Sequence, residues 1–169
     1  MALKHIGYRV FQNVLRLTSY FMSFRPPELL EGPGSIKRLP ALIKEKGFSK
    51  VLVVTDKGLA AAGLPDGLLA GLDAAGIGRV LYDGVQPNPT IGNIEEALSL
   101  FVREGCDAIV AFGGGSPMDC AKACAARAAN PRRTVRRMRG LLRAGRKPKP
   151  LFAVPTTAGT GSEGTVAAV

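Results

Sequence analysis

The stretch AFGGGSPMDCAKA, Ala111 to Ala123, holds residues whose types and order suit anion chemistry. Gly113, Gly114 and Gly115 follow an apolar run and precede Ser116, Pro117 and a helical pattern. Glycines leave no Cβ in the way of a sharp turn, or of a ligand approaching the backbone. Ser116 is placed to cap the coming helix, and Pro117 suits its first turn. A helix N-terminus presents unpaired N–H groups and a partial positive charge, so an anion is favoured there. Asp119, expected in the first turn, can complete a capping box or hydrogen-bond a ligand hydroxyl. The pattern is neither G-x-G-x-x-G nor a Walker loop, because no Lys-Ser/Thr follows. On these residues alone, an ordinary strand-to-helix turn and a nucleotide-phosphate cradle stand level.

A second polar loop, TTAGTGSE from Thr156 to Glu163, follows another apolar run. It offers the hydroxyls of Thr156, Thr157, Thr160 and Ser162. Asp56 closes the run KVLVVTD; an acid there can accept hydrogen bonds from ribose hydroxyls and would repel a 2′-phosphate, or it can simply cap a turn or helix. Cys120 and Cys124 lie four apart on the helix after the glycines, with Cys106 upstream. A tetrahedral metal site needs more ligands than these, and buried core thiols are the expectation. The single histidine, His5, stands at the extreme N-terminus, which excludes Ser-His-Asp and Cys-His hydrolysis.

These residues need elements to hold them. Glu28 to Glu31 reads as a short edge strand, and Ser35 as the N-cap of a helix over Ile36–Lys46 ended by Gly47. Strands are predicted over Lys50–Asp56, Arg79–Asp83, Asp107–Phe112 and Pro150–Pro155. Helices are predicted over Pro65–Ala75, Ile91–Glu104 and Pro117–Ala129, with VQPNPT, Val85 to Thr90, a stiff loop. The alternation predicts an α/β fold, a mostly parallel sheet with helices on both faces. Ligands in such folds sit at the carboxyl ends of the strands, where the glycine, proline and hydroxyl-rich loops fall.

The chain has 169 residues, 46% of them hydrophobic, enough for one domain with a core. Its net charge of +10 is local: Pro131 to Lys149 holds nine Arg or Lys and no acid, while the other residues hold 14 against 13. No aromatic residue is interleaved with those arginines, so nucleic acid is not the expected partner. The segment reads as a solvated helix, a contact for an acidic partner or subunit, or a site for the 2′-phosphate of NADP, which Asp56 argues against. Three cysteines make no disulfide framework, and a cytoplasmic setting is expected. Residues 1–25 read as an amphipathic helix, packed on its own domain or a partner subunit, or else lying on a membrane surface. No span-length apolar run or cleavage signal is seen there.

The motifs GGGSPMDCAK at 113–122, PTTAGTGSE at 155–163, TDKGL at 55–59 and QPNPT at 86–90 together resemble the iron-containing (group III) alcohol dehydrogenases in order and spacing, over Pro27 to Val169. The resemblance implies a Rossmann-like NAD(P)-binding domain over 26–169. Gly113, Gly114, Gly115 and Ser116 would match the pyrophosphate loop, with Asp119 beside it. Thr156, Thr157 and Thr160 would match a second loop lining the cofactor. Asn88 and Pro89 would match the loop near the adenosine, and Asp56 the acid that favours NAD over NADP. The reaction implied is hydride transfer between a small-molecule alcohol or aldehyde and NAD, with a divalent metal, Fe or Zn, polarising the oxygen, in a homo-oligomer at full length.

The family holds that metal with one aspartate and three histidines in a helical C-terminal domain. With His5 as its only histidine, this chain cannot form the site, and the expectation is the cofactor-binding N-terminal part of a longer protein, inactive by itself. Two other readings stay open: a non-catalytic nucleotide-binding module, and a relative of the glycerol dehydrogenase or dehydroquinate synthase type.

Overall fold

A computed structural model describes residues 28–138, 146–159 and 161. The expected helix over residues 1–25 lies outside them. Four strands form one sheet: β1 (Lys50–Val54), β2 (Gly78–Tyr82), β3 (Ala108–Gly113) and β4 (Leu151–Pro155). All pairings are parallel and the order is β2-β1-β3-β4. The helices are α1 (Leu39–Glu45), α2 (Lys57–Ala61), α3 (Asp66–Ala74), α4 (Ile91–Arg103), α5 (Gly115–Ala129) and α6 (Val135–Met138). The expected α/β, Rossmann-like architecture is the one found.

Strand alternation divides the core into two layers. Val51, Val53, Ala108, Val110 and Phe112 pack with Leu39 and Ile43 of α1 and Leu68, Leu69 and Leu72 of α3. Leu52, Val54, Ile109 and Ala111 point the other way, to Ile94, Ala97 and Phe101 of α4 and Met118, Cys120, Ala121 and Cys124 of α5. Each of the central strands β1 and β3 is buried on both faces, which is why neither alternates in sequence. The three thiols are free and buried, in the layer of α4 and α5.

Several boundaries differ from expectation, each for a physical reason. Glu28–Glu31 forms no strand; Leu30 instead packs its side chain on the α1–α3 layer. Ser35 is not an N-cap. A 3-10 turn spans Ser35–Arg38, preceded by Gly34 at φ 71°, and α1 begins only at Leu39. Pro40 explains the delay: it has no N–H to give to residue 36, so it is tolerated in the first turn of α1 and not inside a longer helix. α2 was not expected; Asp56 creates it, its Oδ1 accepting the Leu59 N–H at 3.0 Å. Similarly, α5 starts at Gly115 with Gly114 as its N-cap and no side-chain cap, so Ser116 lies inside the helix. That earlier start moves Asp119 into the second turn, 3.8 Å from Lys122.

Four helices close their C-terminal ends in one way. After α1, α2, α3 and α4 the same pair of backbone bonds recurs, as in Gly105 N–H to Val102 C=O and Cys106 N–H to Phe101 C=O. The N-terminal ends of β1 and β3 are clamped by Asp107. Its Oδ2 accepts the Ser49 N–H at 2.7 Å and the Ser49 hydroxyl at 2.8 Å, and Oδ1 accepts the Lys50 N–H at 3.2 Å. Burial pushes the Asp107 carboxyl up, but the Ser49 and Lys50 donors outweigh it and hold the group below the ordinary aspartate value.

Candidate functional site

The chain leaves β1 for β2 on one side and later places β3 on the other, so the sheet order reverses between β1 and β3. Loops after those two strands diverge to opposite faces, and a crevice opens between them. A cavity of about 900 Å³ lies there, lined from all four strand ends. Asp56, Lys57, Gly58 and Leu59 follow β1; Gly84, Val85, Gln86 and Pro87 follow β2. Gly114, Gly115, Ser116 and Pro117 follow β3, Thr156 and Thr157 follow β4, and Asn93 and Glu96 reach in from α4.

The glycine loop is shaped by close approach. Gly113 has φ 148°, and a Cβ there would meet Pro117 Cγ at 2.6 Å and Leu59 Cδ1 at 3.0 Å. Gly114 would place a Cβ 3.0 Å from Thr157 Oγ1. The loops after β3 and β4 are thus nearly in contact, and the Thr156 N–H donates to Gly113 C=O at 3.0 Å. Since Gly114 caps α5 without a side chain, the first amide groups of this 15-residue helix are left to whatever enters the crevice.

The proline-rich loop is tied to the same place. Asn88, at φ 56°, donates its N–H to Ser116 Oγ at 3.3 Å. Thr90 and Asn93 form a reciprocal capping box: Thr90 Oγ1 accepts the Asn93 N–H at 3.2 Å, and Asn93 Oδ1 accepts the Thr90 N–H at 3.1 Å. The Asn93 amide donates on to Gly84 C=O at 3.0 Å and to the Tyr82 hydroxyl at 3.3 Å. Tyr82 in turn donates to Glu96 Oε2 at 2.7 Å. Burial, then the bond to Glu96, raises the Tyr82 phenol well above its ordinary value, so it stays a neutral donor. Thr55, fully buried at the end of β1, gives its N–H to Tyr82 C=O at 2.8 Å. Its Oγ1 is buried with no hydrogen-bond partner among the described residues.

Of the residues singled out in the sequence, Asp56, Gly114, Gly115, Ser116, Thr156 and Thr157 meet at this cavity. Gly113 lies beneath it as the last residue of β3. Asn88, Pro89 and Asp119 are not among the lining residues, and Thr160 lies outside the described ones. Asn93 and Glu96 line the cavity without having been singled out. The signal was present: Thr90-x-x-Asn93 marks a helix start, and Glu96 follows one turn later on the same side. Among the described residues no three His, Cys, Asp or Glu side chains are grouped to hold a metal, and no helix is long and apolar enough to cross a membrane.

Residues 26–169 match the family described as iron-containing alcohol dehydrogenase. The lactaldehyde reductase of Escherichia coli K12 is 41% identical over 136 residues, which cover 80% of this chain and 36% of that protein. The NAD-dependent methanol dehydrogenase of Bacillus methanolicus is 36% identical over 153 residues, 90% of this chain and 39% of its own. Among solved structures, a 1,3-propanediol oxidoreductase superposes with a TM-score of 0.75 at 41% identity, covering 79% of this chain and 35% of that one. A sulfoacetaldehyde reductase from Bifidobacterium kashiwanohense, in complex with NAD+, gives 0.72 at 28% identity, covering 85% and 38%. The chain therefore spans little more than a third of the length of the relatives it matches. With the motifs in register, the fold in common and the match running from residue 26 to 169, this chain belongs to the iron-containing alcohol dehydrogenase family.

Proposed function

We propose that the crevice at the β1–β3 switch point binds NAD(H), and that at the length of its relatives the protein transfers hydride between a small alcohol or aldehyde and that cofactor. One observation carries the reading: an uncapped helix N-terminus and a hydroxyl loop close on each other, with a 3.0 Å approach between the Gly114 Cβ position and Thr157, in a 900 Å³ cavity that also holds Asp56. A dinucleotide fits that donor set. The α5 amides at Gly115 and Ser116, with the Gly113–Gly114 turn, receive the pyrophosphate. Thr156 and Thr157 line its other side; a cofactor role for Thr160 rests on the sequence motif alone. Asp56 accepts the adenosine ribose hydroxyls and repels a 2′-phosphate, which favours NAD over NADP. Asn88 and Pro89 act at one remove, by shaping the loop that Ser116 holds, and Asp119 steadies α5 through Lys122.

NAD supplies the hydride chemistry; these residues bind and orient it. The iron or zinc of the family finds no fitting donor set among the described residues. For these 169 residues the proposed activity is cofactor binding, and the small-molecule substrate and any homo-oligomer are proposed for the longer protein.

The test is a titration of the purified, folded chain with NADH, followed by nicotinamide fluorescence and calorimetry. Saturable binding that Gly114→Val abolishes is expected, the variant remaining folded by circular dichroism. A folded chain that binds no NADH up to millimolar concentration would overturn the proposal.

A further inference from the structure

No residue of the basic segment is among those that line the crevice. Nine cations and no acid fall between Pro131 and Lys149. Of these, Arg132, Arg133, Arg136, Arg137, Arg146, Lys147 and Lys149 are described, and all are exposed. Part of the segment forms a cavity of about 550 Å³, lined by Asn130, Pro131, Arg132, Arg133 and Arg146.

Two backbone stretches make its walls, and a buried amide fastens them together. Asn130, 6% exposed, donates its side-chain N–H to Ala126 C=O at 2.8 Å and accepts the Arg146 N–H on Oδ1 at 3.2 Å. Arg127 holds the turn from below: Nη1 donates to Asn130 C=O at 3.3 Å and Pro131 C=O at 3.2 Å, while Nε pairs with Glu95 at 3.1 Å. The Arg133 N–H closes the turn on Asn130 C=O at 2.9 Å, and the Lys149 N–H donates to Ala125 C=O at 3.1 Å. The arginines at the cavity therefore stand on a fixed frame, with Arg127 and its acid committed to the frame itself.

The place is far from the crevice. α5 begins at the carboxyl end of β3 and runs its 15 residues to Asn130, a length of about 22 Å. There it meets Lys149 and Pro150, which lead into the start of β4. The arginines lining this cavity thus stand a helix length away from Asp56 and are not placed to meet a 2′-phosphate there.

We propose that the cavity of Asn130, Arg132, Arg133 and Arg146 is a second ligand site, built for a compact oligophosphate anion. Guanidinium groups stay charged at all working pH values and present paired donors that match phosphate oxygens. Concavity favours a compact ligand over a long polyanion, which would follow an open surface stripe. The Asn130 amide, already committed on both its ends, serves as the hinge-free base of the site.

The probe is inorganic tripolyphosphate, titrated calorimetrically into the full chain at low ionic strength. Three variants accompany it: Arg132→Ser with Arg146→Ser, Arg136→Ser with Arg137→Ser as a charge-matched control, and Gly114→Val to separate this site from the crevice. Saturable 1:1 binding is expected. It weakens at least about tenfold in the Arg132/Arg146 variant, a loss of one or two charged hydrogen bonds, and stays within about twofold in the control and in Gly114→Val. Any of four results overturns the proposal: no binding by the folded chain, equal loss in the Arg136/Arg137 control, loss of binding in Gly114→Val, which would put the anion in the crevice, or binding only of a long polyanion such as heparin. Because NADH affinity is read separately, failure here leaves the crevice reading untouched.

Discussion

Asp56 carries two duties that one substitution can separate. Its carboxylate caps α2 through the Leu59 N–H, and it faces the proposed ribose position. Asp56→Ser keeps a capping oxygen and removes the charge, so stability is expected to change by less than about 0.5 kcal/mol while the NADPH-to-NADH affinity ratio rises about tenfold. Parallel titrations with the two reduced cofactors, beside urea denaturation, read both effects. Gly113 also carries a steric duty to the fold. A Cβ there would sit 2.6 Å from a proline ring fixed in α5, at a φ that side chains avoid, so Gly113→Ala is expected to cost about 2–3 kcal/mol in urea denaturation. Thr55 is the reverse case: its hydroxyl is buried without a partner among the described residues. Thr55→Val is expected to leave stability unchanged or raise it by about 1 kcal/mol; a fall in NADH affinity alongside would mark that hydroxyl as a ligand group. At this scale the sequence was legible where chemistry and backbone coincide, as at the glycines and Asp56. It was silent on Thr55, because burial of one hydroxyl depends on strands roughly 25 to 60 residues further along the chain.

Among the elements, β1 and β3 depend on a single carboxylate at their entry. Asp107 is held below the ordinary aspartate value by the Ser49 and Lys50 donors, which outweigh its burial. A depressed folded value means that this stability is complete above the unfolded value of about 3.9 and drains as pH falls through the folded one. Asp107→Asn is therefore expected to cost about 1–2 kcal/mol at pH 7 and to flatten the loss of stability below pH 4, checked by urea midpoints across pH 2 to 7. α5 supplies the opposite case. Burial pushes the Cys120 and Cys124 thiols up to about 12. The folded chain at pH 8 is expected to resist iodoacetamide at both, and to react at ordinary thiol rates only in denaturant. The four strands and the long helices could be read from apolar runs and periodicity. What could not be read were the starts: α2 exists through a capping carboxylate, and α1 and α5 are set by Pro40 and Gly114, whose effects are local geometry with no periodic signature.

For the whole molecule, ligand binding and folding are one equilibrium. A cofactor that binds only the folded chain adds about 2.7 kcal/mol at one hundred times its dissociation constant, which for a chain of this size raises Tm by about 5–10 °C. Differential scanning with and without NADH checks it, and the Gly114→Val variant should show no shift. The parallel α/β plan followed from alternation, but the strand order did not: β3 lands beside β1 because a right-handed crossover through α4 passes over the sheet on the face opposite α3. The two layers that result have different birth dates. Apart from side chains of β3 and β4, the α1–α3 layer is drawn from residues 30–77, whereas the α4–α5 layer gathers most of its side chains from Tyr82 to Ala125. During synthesis, one face of β1 can be covered, with β2 alongside, while the residues that dry its other face are still inside the ribosome. The central strand thus spends that interval half-clothed, its apolar Leu52 and Val54 turned to water, and the nascent chain is most open to chaperone capture just before the glycine loop emerges.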